Sequence, residues 1–180
     1  MDKLLNYNKS LFKVLSDKPI YVDFTMGNGL DTLFLCNLSN NCFVYAFDIQ
    51  QQALDNTKQL LELHKKSNYK LILDSHSNIN LYVKEDIDGG IFNLGYLPKG
   101  NKSITTNAFN TINALEYSLG RLKVKGIISI MVYIGSYNDI HEQDLLLDYV
   151  TKLDKHKFNV VLHKLINHDK APYLIIIEKK

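Results

Sequence analysis

The chain has 180 residues, an apolar fraction of 46% and a formal net charge of +2, which together indicate a single folded domain over residues 1–180. Its longest apolar run, Ile127–Ile134, contains a serine and is far shorter than the roughly 20 residues that a membrane-spanning helix needs. No basic-then-apolar leader is seen, and Cys36 and Cys42 match no metal or redox spacing, so we interpret them as reduced thiols. Membrane, disulfide-scaffold and disordered classes are excluded, and a cytoplasmic protein is expected.

Short apolar, β-branched runs alternate with segments of helical periodicity along the chain. The predicted strands are Ile20–Phe24, Cys42–Phe47, Lys70–Leu73, Gly90–Leu94, Gly126–Tyr133, Asn159–Leu165 and Tyr173–Glu178. Helices are predicted at about Lys3–Leu15, within an N-terminal segment 1–16, and around residues 53–64, 108–122 and 146–153. The connection Ile166–Pro172 is too short for a parallel crossover. We therefore predict an α/β, Rossmann-like, doubly wound sheet of seven strands, mostly parallel with a C-terminal antiparallel hairpin, which resembles the class I methyltransferase architecture.

The strongest local signal is a glycine loop that follows the first predicted strand, within Val22–Thr32. Gly27 and Gly29 let the backbone approach a ligand closely, and the helix after them presents unpaired N–H groups. Threonine at position 32 removes the third glycine of a dinucleotide fingerprint. The carboxylate of Asp23 suits a cationic ligand and would repel a diphosphate. The loop therefore predicts an S-adenosylmethionine site, with Asp23 among the cofactor residues.

Polar residues also follow the next three predicted strands. Asp48 lies 19 residues after Gly29, the offset at which a carboxylate meets ribose hydroxyls; a helix cap is the other interpretation. His76 either stacks on or bonds an adenine ring, or it has a structural role. The histidines share no ligand spacing, so no metal site is expected. Asn93 precedes a Gly/Pro loop, which places amide groups beside the reactive end of the cofactor or simply connects a strand to a helix.

These stretches resemble a known family over the whole chain. The matching segments are Val22–Asp31, Tyr45–Gln50, Asn56-Thr57, Phe92–Pro98 with Lys102–Thr106, and Pro172 with Ile177–Lys179. They are similar to the small bacterial methyltransferases of the rRNA-methylase-like group that act on the tRNA wobble uridine. That family converts 5-aminomethyl-2-thiouridine to 5-methylaminomethyl-2-thiouridine. Two departures stand out: Ile134 occupies a position where a histidine is expected, and Gly100–Asn101 replaces a Gly-Asp pair.

The resemblance implies a role for each site residue. The methionine part of S-adenosylmethionine would be held by Gly27, Asn28, Gly29 and Asp31, the ribose by Asp48 and Gln50, and the adenosine by Ser75 and His76. The methyl group and the incoming amine would be faced by Asn93, Tyr96 and Tyr133. The implied partner is tRNA, bound through its anticodon stem-loop, and relatives suggest a homodimer. The candidate RNA contacts are Lys99, Lys102 and Tyr137, with Lys123, Lys125 and Lys152–Lys157 as further candidates.

Three alternatives remain open from the sequence. The nearest is a methyltransferase that acts on rRNA or on a small amine, because the glycine loop does not separate substrates. An NAD-dependent oxidoreductase is disfavoured by Asp23, by Thr32 and by the predicted antiparallel hairpin. A catalytically silent RNA-binding protein on a methyltransferase scaffold is disfavoured by the intact Asp48 and glycine loop, although Ile134 keeps this alternative open.

Overall fold

The computed structural model describes residues 2–94, 108–133, 140–168 and 171–180. Its strands are β1 (Ile20–Asp23), β2 (Phe43–Asp48), β3 (Tyr69–Leu73), β4 (Ile87–Leu94), β5 (Leu122–Val132), β6 (Phe158–Lys164) and β7 (Tyr173–Lys179). Its helices are α1 (Asp2–Ser10), α2 (Leu30–Cys36), α3 (Gln51–Leu63), α4 (Ile79–Tyr82) with a preceding 3₁₀ turn (His76–Asn78), α5 (Ala108–Arg121) and α6 (Ile140–Thr151). All seven predicted strands are therefore confirmed.

The strands form one sheet in the order β3-β2-β1-β4-β5-β7-β6. Strands β1 to β5 pair in parallel, whereas β7 is antiparallel to both β5 and β6. The predicted mostly parallel sheet with a C-terminal antiparallel hairpin is confirmed. Strand order reverses between β1 and β4, so the carboxyl ends of these two strands open the crevice in which such sheets bind their ligands.

Helices cover both faces of the sheet, as a buried parallel sheet requires. One face packs against α4, α5 and α6 and contains the stacked rings of Phe24 and Phe92, whose centroids are 3.8 Å apart. The opposite face packs against α2 and α3 and, over β5 and β7, against Leu4 of α1. No helix within the described ranges is long and apolar enough to span a bilayer.

The first helix ends earlier than its apolar pattern predicts, at Ser10 instead of Leu15. The Ser10 hydroxyl donates to the Tyr7 carbonyl at 2.7 Å, and such local side-chain bonds compete with helix propagation. Phe12 then turns inward and is 8% exposed, with edge contacts to the rings of Tyr21 and Phe34. The sequence pattern predicted a longer helix because Phe12, which is buried outside the helix, fits the same helical periodicity.

A buried aspartate joins several segments at the amino end of the sheet. The Asp88 carboxylate, in β4, accepts hydrogen bonds from the Ser16 hydroxyl at 2.8 Å and from the Ile20 backbone N–H at 2.9 Å. It also forms a 2.8 Å ion pair with Lys123 of β5, and its own side chain has no exposed surface. This cluster lies at the opposite end of the strands from the predicted site.

Candidate active site

The glycine loop after β1 is held in place by α3. Gly27 and Gly29 have φ angles of 51° and 81°, a left-handed conformation that other residues adopt at a cost. A Cβ at Gly29 would lie 2.9 Å from the Thr57 side chain, while the Thr57 hydroxyl donates to the Gly27 carbonyl at 3.1 Å. Asn56 donates to the Asn28 side-chain oxygen at 3.0 Å. Asn56 and Thr57 belong to the segments that carry the family resemblance, and their contacts show that they shape the loop.

Asp23 lies beneath this loop, fully buried at the end of β1. One carboxylate oxygen accepts from the Thr25 backbone N–H at 3.1 Å, and the other accepts from the Thr32 hydroxyl at 2.6 Å. Burial and, after it, the negative charge of Asp31 raise the pKa of Asp23 to about 7. In this position Asp23 supports the loop from below, and its contact with the cofactor stays a prediction. Thr32, which replaces the third glycine, is the residue that bonds it.

Asp48 reaches the loop from the end of β2. Its carboxylate accepts from the backbone N–H groups of Gly27 at 3.1 Å and Gln50 at 3.0 Å, one on each oxygen. Burial raises the pKa of Asp48. Since each carboxylate oxygen accepts more than one hydrogen bond, both retain capacity for the hydroxyls of a ribose. The residue at the N-cap of α3 is Gln50, so Asp48 is not the N-cap that the alternative interpretation required.

His76 is buried against the ends of β1 and β4. Its Nδ1 lies 3.0 Å from the Phe24 carbonyl oxygen, which can only accept, so Nδ1 carries the proton. Burial lowers the pKa of His76 to about 4, and the ring is therefore neutral. Nε2 is buried without a hydrogen-bond partner among the described residues. The neighbouring Ser75 begins the 3₁₀ turn by accepting from the Ser77 N–H at 3.2 Å. A structural role for His76 is visible, and its contact with adenosine stays a prediction.

Asn93 lies at the end of β4, beside the loop. Its backbone N–H donates to the Thr25 hydroxyl oxygen at 2.8 Å, and its side-chain NH₂ donates to Asp31. The other oxygen of Asp31 is 3.2 Å from the ammonium of Lys9 in α1. Burial and the nearby charge of Asp31 raise the pKa of Tyr133, which follows β5. The structure thus brings Asn93, Asp31 and Tyr133 together, and it adds Lys9, for which the sequence offered no site signal.

The electrostatic character of the crevice is acidic. The charges of Asp31 and Asp48 both raise the pKa of Asp23, so the three carboxylates lie close enough to interact, and Lys9 is the cation paired with one of them. A net negative site favours a cationic ligand such as a sulfonium and opposes a diphosphate. The side-chain oxygen Oδ1 of Asn93, which is buried without a hydrogen-bond partner in the described ranges, also needs a donor. These residues fit S-adenosylmethionine. Among the residues that the structure describes, no cluster of His, Cys, Asp and Glu could hold a metal ion.

Comparison with known proteins supplies the family. Residues 44–179 match the model of the rRNA methylase family. The chain belongs to that family. A methyltransferase from Streptococcus mutans, crystallised in complex with SAH, is 41% identical and covers 98% of both chains with a TM-score of 0.90. An rRNA methylase from Clostridium thermocellum is 35% identical over 99% of this chain and 96% of its own, with a TM-score of 0.91.

A curated relative of the methylase comes from Arabidopsis thaliana, the chloroplastic tRNA (mnm5s2U34)-methyltransferase. It is 33% identical over an alignment of 180 positions, which covers 93% of this chain and 66% of the plant protein. The family, the class I methyltransferase fold and S-adenosylmethionine as the cofactor are thereby confirmed. The NAD-dependent alternative is wrong.

The RNA-facing predictions for the methylase divide into two groups. The first group lies outside the described residues and stays predicted: Tyr96, Lys99, Lys102 and Tyr137, together with the departures at Gly100–Asn101 and Ile134. The second group lies in described segments at the amino end of the sheet. Lys123 and Lys125 begin β5, and Lys152–Lys157 connect α6 to β6. Because the crevice is at the carboxyl ends of the strands, this second group lies away from a nucleotide bound there, and its contact with other parts of an RNA stays a prediction.

Proposed function

We propose that this methylase transfers a methyl group to the primary amine of 5-aminomethyl-2-thiouridine at the wobble position of tRNA, producing 5-methylaminomethyl-2-thiouridine. The substrate named for the Arabidopsis relative supports the choice of tRNA. The observation that carries the proposal is the side-chain oxygen Oδ1 of Asn93, which is buried at the end of β4 and has no hydrogen-bond partner among the described residues. An amine supplies N–H donors for that oxygen, and a buried acceptor left without a donor is costly.

Residues at the ends of three neighbouring strands, β1, β2 and β3, would bind the different parts of the cofactor. Asp48 would accept hydrogen bonds from the ribose hydroxyls, because backbone N–H groups fix both of its carboxylate oxygens and the residue is partly exposed. The loop around Gly27 to Gly29 and Asp31 would hold the methionine part, and Ser75 and His76 would border the adenosine. When bound, S-adenosylmethionine supplies the methyl group: the nitrogen–carbon bond forms as the carbon–sulfur bond breaks, and the amine releases one proton to solvent.

The remaining contribution of the protein is to orient a neutral amine and to exclude water. An ammonium has no lone pair, so the acceptor reacts only when deprotonated, and partial desolvation favours that form. The side-chain oxygen of Asn93 would accept a hydrogen bond from an N–H of the amine, and this bond would turn the lone pair of the amine nitrogen toward the methyl group. The Tyr133 hydroxyl, whose pKa is raised by burial, stays protonated and does not act as a base. Positioning of this kind contributes roughly 7–11 kcal/mol to rate enhancement in favourable cases.

The proposed RNA partner would approach through the segments that follow β4 and β5. Lys99, Lys102 and Tyr137 would contact the anticodon stem-loop, with Tyr96 beside the flipped base.

A homodimer is also proposed, supported by the edge strand β6, where Val160, Val161 and Leu162 are 37%, 47% and 52% exposed. Light scattering would measure a mass twice that of the chain, and a monomeric mass would contradict the dimer.

Nucleoside analysis tests the proposed substrate. In cells lacking the protein, tRNA should accumulate 5-aminomethyl-2-thiouridine and lose its methylated form. The wild-type gene should restore the product, and Asn93→Ser should not. The matched control is Asn159→Ser, the same substitution in β6, where the side chain bonds Glu178 at 3.2 Å away from the crevice. Unchanged wobble nucleosides together with a lost methyl group in rRNA would favour the rRNA alternative that the family name suggests.

A further inference from the structure

Lys9 of the N-terminal helix is held in the crevice by contacts from two segments. Its ammonium lies 3.2 Å from Asp31 and 5.3 Å from the centroid of the Phe34 ring in α2. The helix itself is anchored by Leu4, which packs on Met131, Leu174 and Ile176 of the sheet. The lysine is only one-third exposed, so its position is fixed by packing as well as by charge.

Asp31 divides its two carboxylate oxygens between two partners. Oδ1 faces Lys9, and Oδ2 accepts from the side-chain NH₂ of Asn93. An ionised carboxylate only accepts hydrogen bonds, whereas an amide has a donor end and an acceptor end. Asp31 therefore selects the orientation in which Asn93 turns its NH₂ inward and leaves its carbonyl oxygen for another molecule. The bond from the Asn93 backbone N–H to Thr25 at 2.8 Å fixes the main chain at the same point.

We propose that Lys9 and Asp31 are positioning residues that lock the Asn93 amide, so that its carbonyl oxygen is presented to the acceptor amine. This inference rests on the proposed function, because it takes the acceptor to be an N–H donor. The lock also predicts a preference among acceptors: a group that carries N–H bonds satisfies the oxygen, and a ring carbon does not. Lys9 acts through Asp31 and Asn93 and does not itself touch the substrate.

The lysine is needed because the crevice is otherwise anionic. Asp31 interacts with the carboxylate of Asp23 behind it, and without the ammonium its charge would be uncompensated on the Lys9 side. A carboxylate released from one partner rotates toward other donors, and the bond to Asn93 would then loosen. We expect the Asn93 amide to sample both orientations once the ammonium is removed.

Nuclear magnetic resonance tests the lock without any methyl transfer. The Asn93 side-chain amide is observed in protein labelled with ¹⁵N-asparagine and is assigned by its disappearance in Asn93→Ser. In the wild type, with SAH bound, we expect one sharp pair of NH₂ signals with slow solvent exchange. Lys9→Met should broaden or shift that pair, and Lys9→Arg should restore it. The matched control is Lys13→Met, which removes an exposed lysine just beyond the same helix and should leave the signals unchanged.

Kinetics on tRNA that carries the aminomethyl nucleoside supply the second readout. At saturating S-adenosylmethionine, Lys9→Met should lower kcat about 10-fold, as expected for a misplaced orienting group, while the KM for tRNA stays within about twofold of wild type. Lys9→Arg should recover most of kcat. Lys9→Gln, which keeps a neutral donor near Asp31, should fall between Lys9→Met and wild type and serves if the methionine variant folds poorly.

The outcomes separate the two proposals. Wild-type kcat and unchanged Asn93 signals in Lys9→Met would overturn the lock while leaving the substrate assignment intact. A rise in the KM for tRNA with an unchanged kcat would also overturn it, because Lys9 would then act on RNA binding and not on the orientation of the acceptor. An amide that depends on Lys9, in a protein that methylates no aminomethyl uridine, would contradict the proposed function and support the lock alone.

Discussion

Aspartates at the two ends of the sheet have opposite surroundings. At the amino end, Asp88 has an ammonium 2.8 Å away in addition to donors from Ser16 and Ile20. At the carboxyl end, Asp23 and Asp48 accept only from hydroxyl and backbone N–H groups, and no ion pair to either is found within the described residues. The first arrangement neutralises its charge inside the fold. The second leaves negative charge at the place where a cationic ligand would bind.

The difference assigns stability to one end of the sheet and function to the other. A carboxylate paired inside the protein has no need of a ligand, whereas burying unpaired carboxylates costs folding free energy that a bound cation offsets. The raised pKa of Asp23, about 7, reflects that cost. Substitutions at the amino end should therefore change stability alone, and substitutions at the carboxyl end should change ligand affinity.

Removal of the cation from Asp88 should give the largest effect. Lys123→Met leaves a fully buried carboxylate unpaired, and we expect the free energy of unfolding in urea to fall by about 3 kcal/mol. The affinity of the folded protein for SAH should not change. Lys125→Met, an exposed neighbour in β5, is the control and should change stability by less than about 0.5 kcal/mol. A stable Lys123→Met protein with weakened SAH binding would reverse the assignment of the two ends.

The converse change is Asp48→Asn at the carboxyl end. An amide cannot accept from both Gly27 and Gln50 while also accepting ribose hydroxyls as strongly as a carboxylate does. We expect the dissociation constant for SAH to rise about 100-fold, equivalent to about 2.7 kcal/mol, with a smaller loss of stability. Calorimetry measures the affinity, and Asp88→Asn is the comparison at the other end. Equal SAH affinity in Asp48→Asn and wild type would remove Asp48 from the proposed ribose site.

Asp23 should give the free energy of unfolding a characteristic pH dependence. Its folded pKa is raised to about 7, so its contribution to stability is fully present below the ordinary carboxylate pKa and is lost as pH rises through 7. Asp23→Asn lacks this loss, and the stability difference between variant and wild type should grow by about 2 kcal/mol from pH 5 to pH 8. His76, whose lowered pKa acts in the opposite direction, is present in both proteins and cancels. The exposed Asp17→Asn is the control; a pH-independent difference for Asp23→Asn would contradict the prediction.

The sequence predicted the strands well because each is a β-branched run bounded by turn residues, and their ends indicated Asp48 and Asn93 directly. It did not predict that Asp23 is buried, since a strand-end carboxylate looks the same whether it faces a ligand or lies beneath a loop. Thr32 carried a signal, the missing third glycine, but its bond to Asp23 depends on how α2 sits over β1. Lys9 carried none, because its pairing with Asp31 joins residues that only the packing of α1 brings together.

The smallest effects come from a matched pair of hydroxyl deletions, which compares the two ends directly. Ser16→Ala removes the 2.8 Å bond to Asp88, and Thr32→Val removes the 2.6 Å bond to Asp23; both keep the approximate shape of the side chain. Each should cost about 1 kcal/mol of stability, the usual net value of such a bond. Only Thr32→Val should also weaken SAH binding, by about 3-fold, because the loop above Asp23 would lose an anchor while Asp88 remains paired with Lys123. Thermal unfolding and calorimetry on the two variants measure both quantities, and equal SAH affinities would show that the loop holds its shape without Thr32.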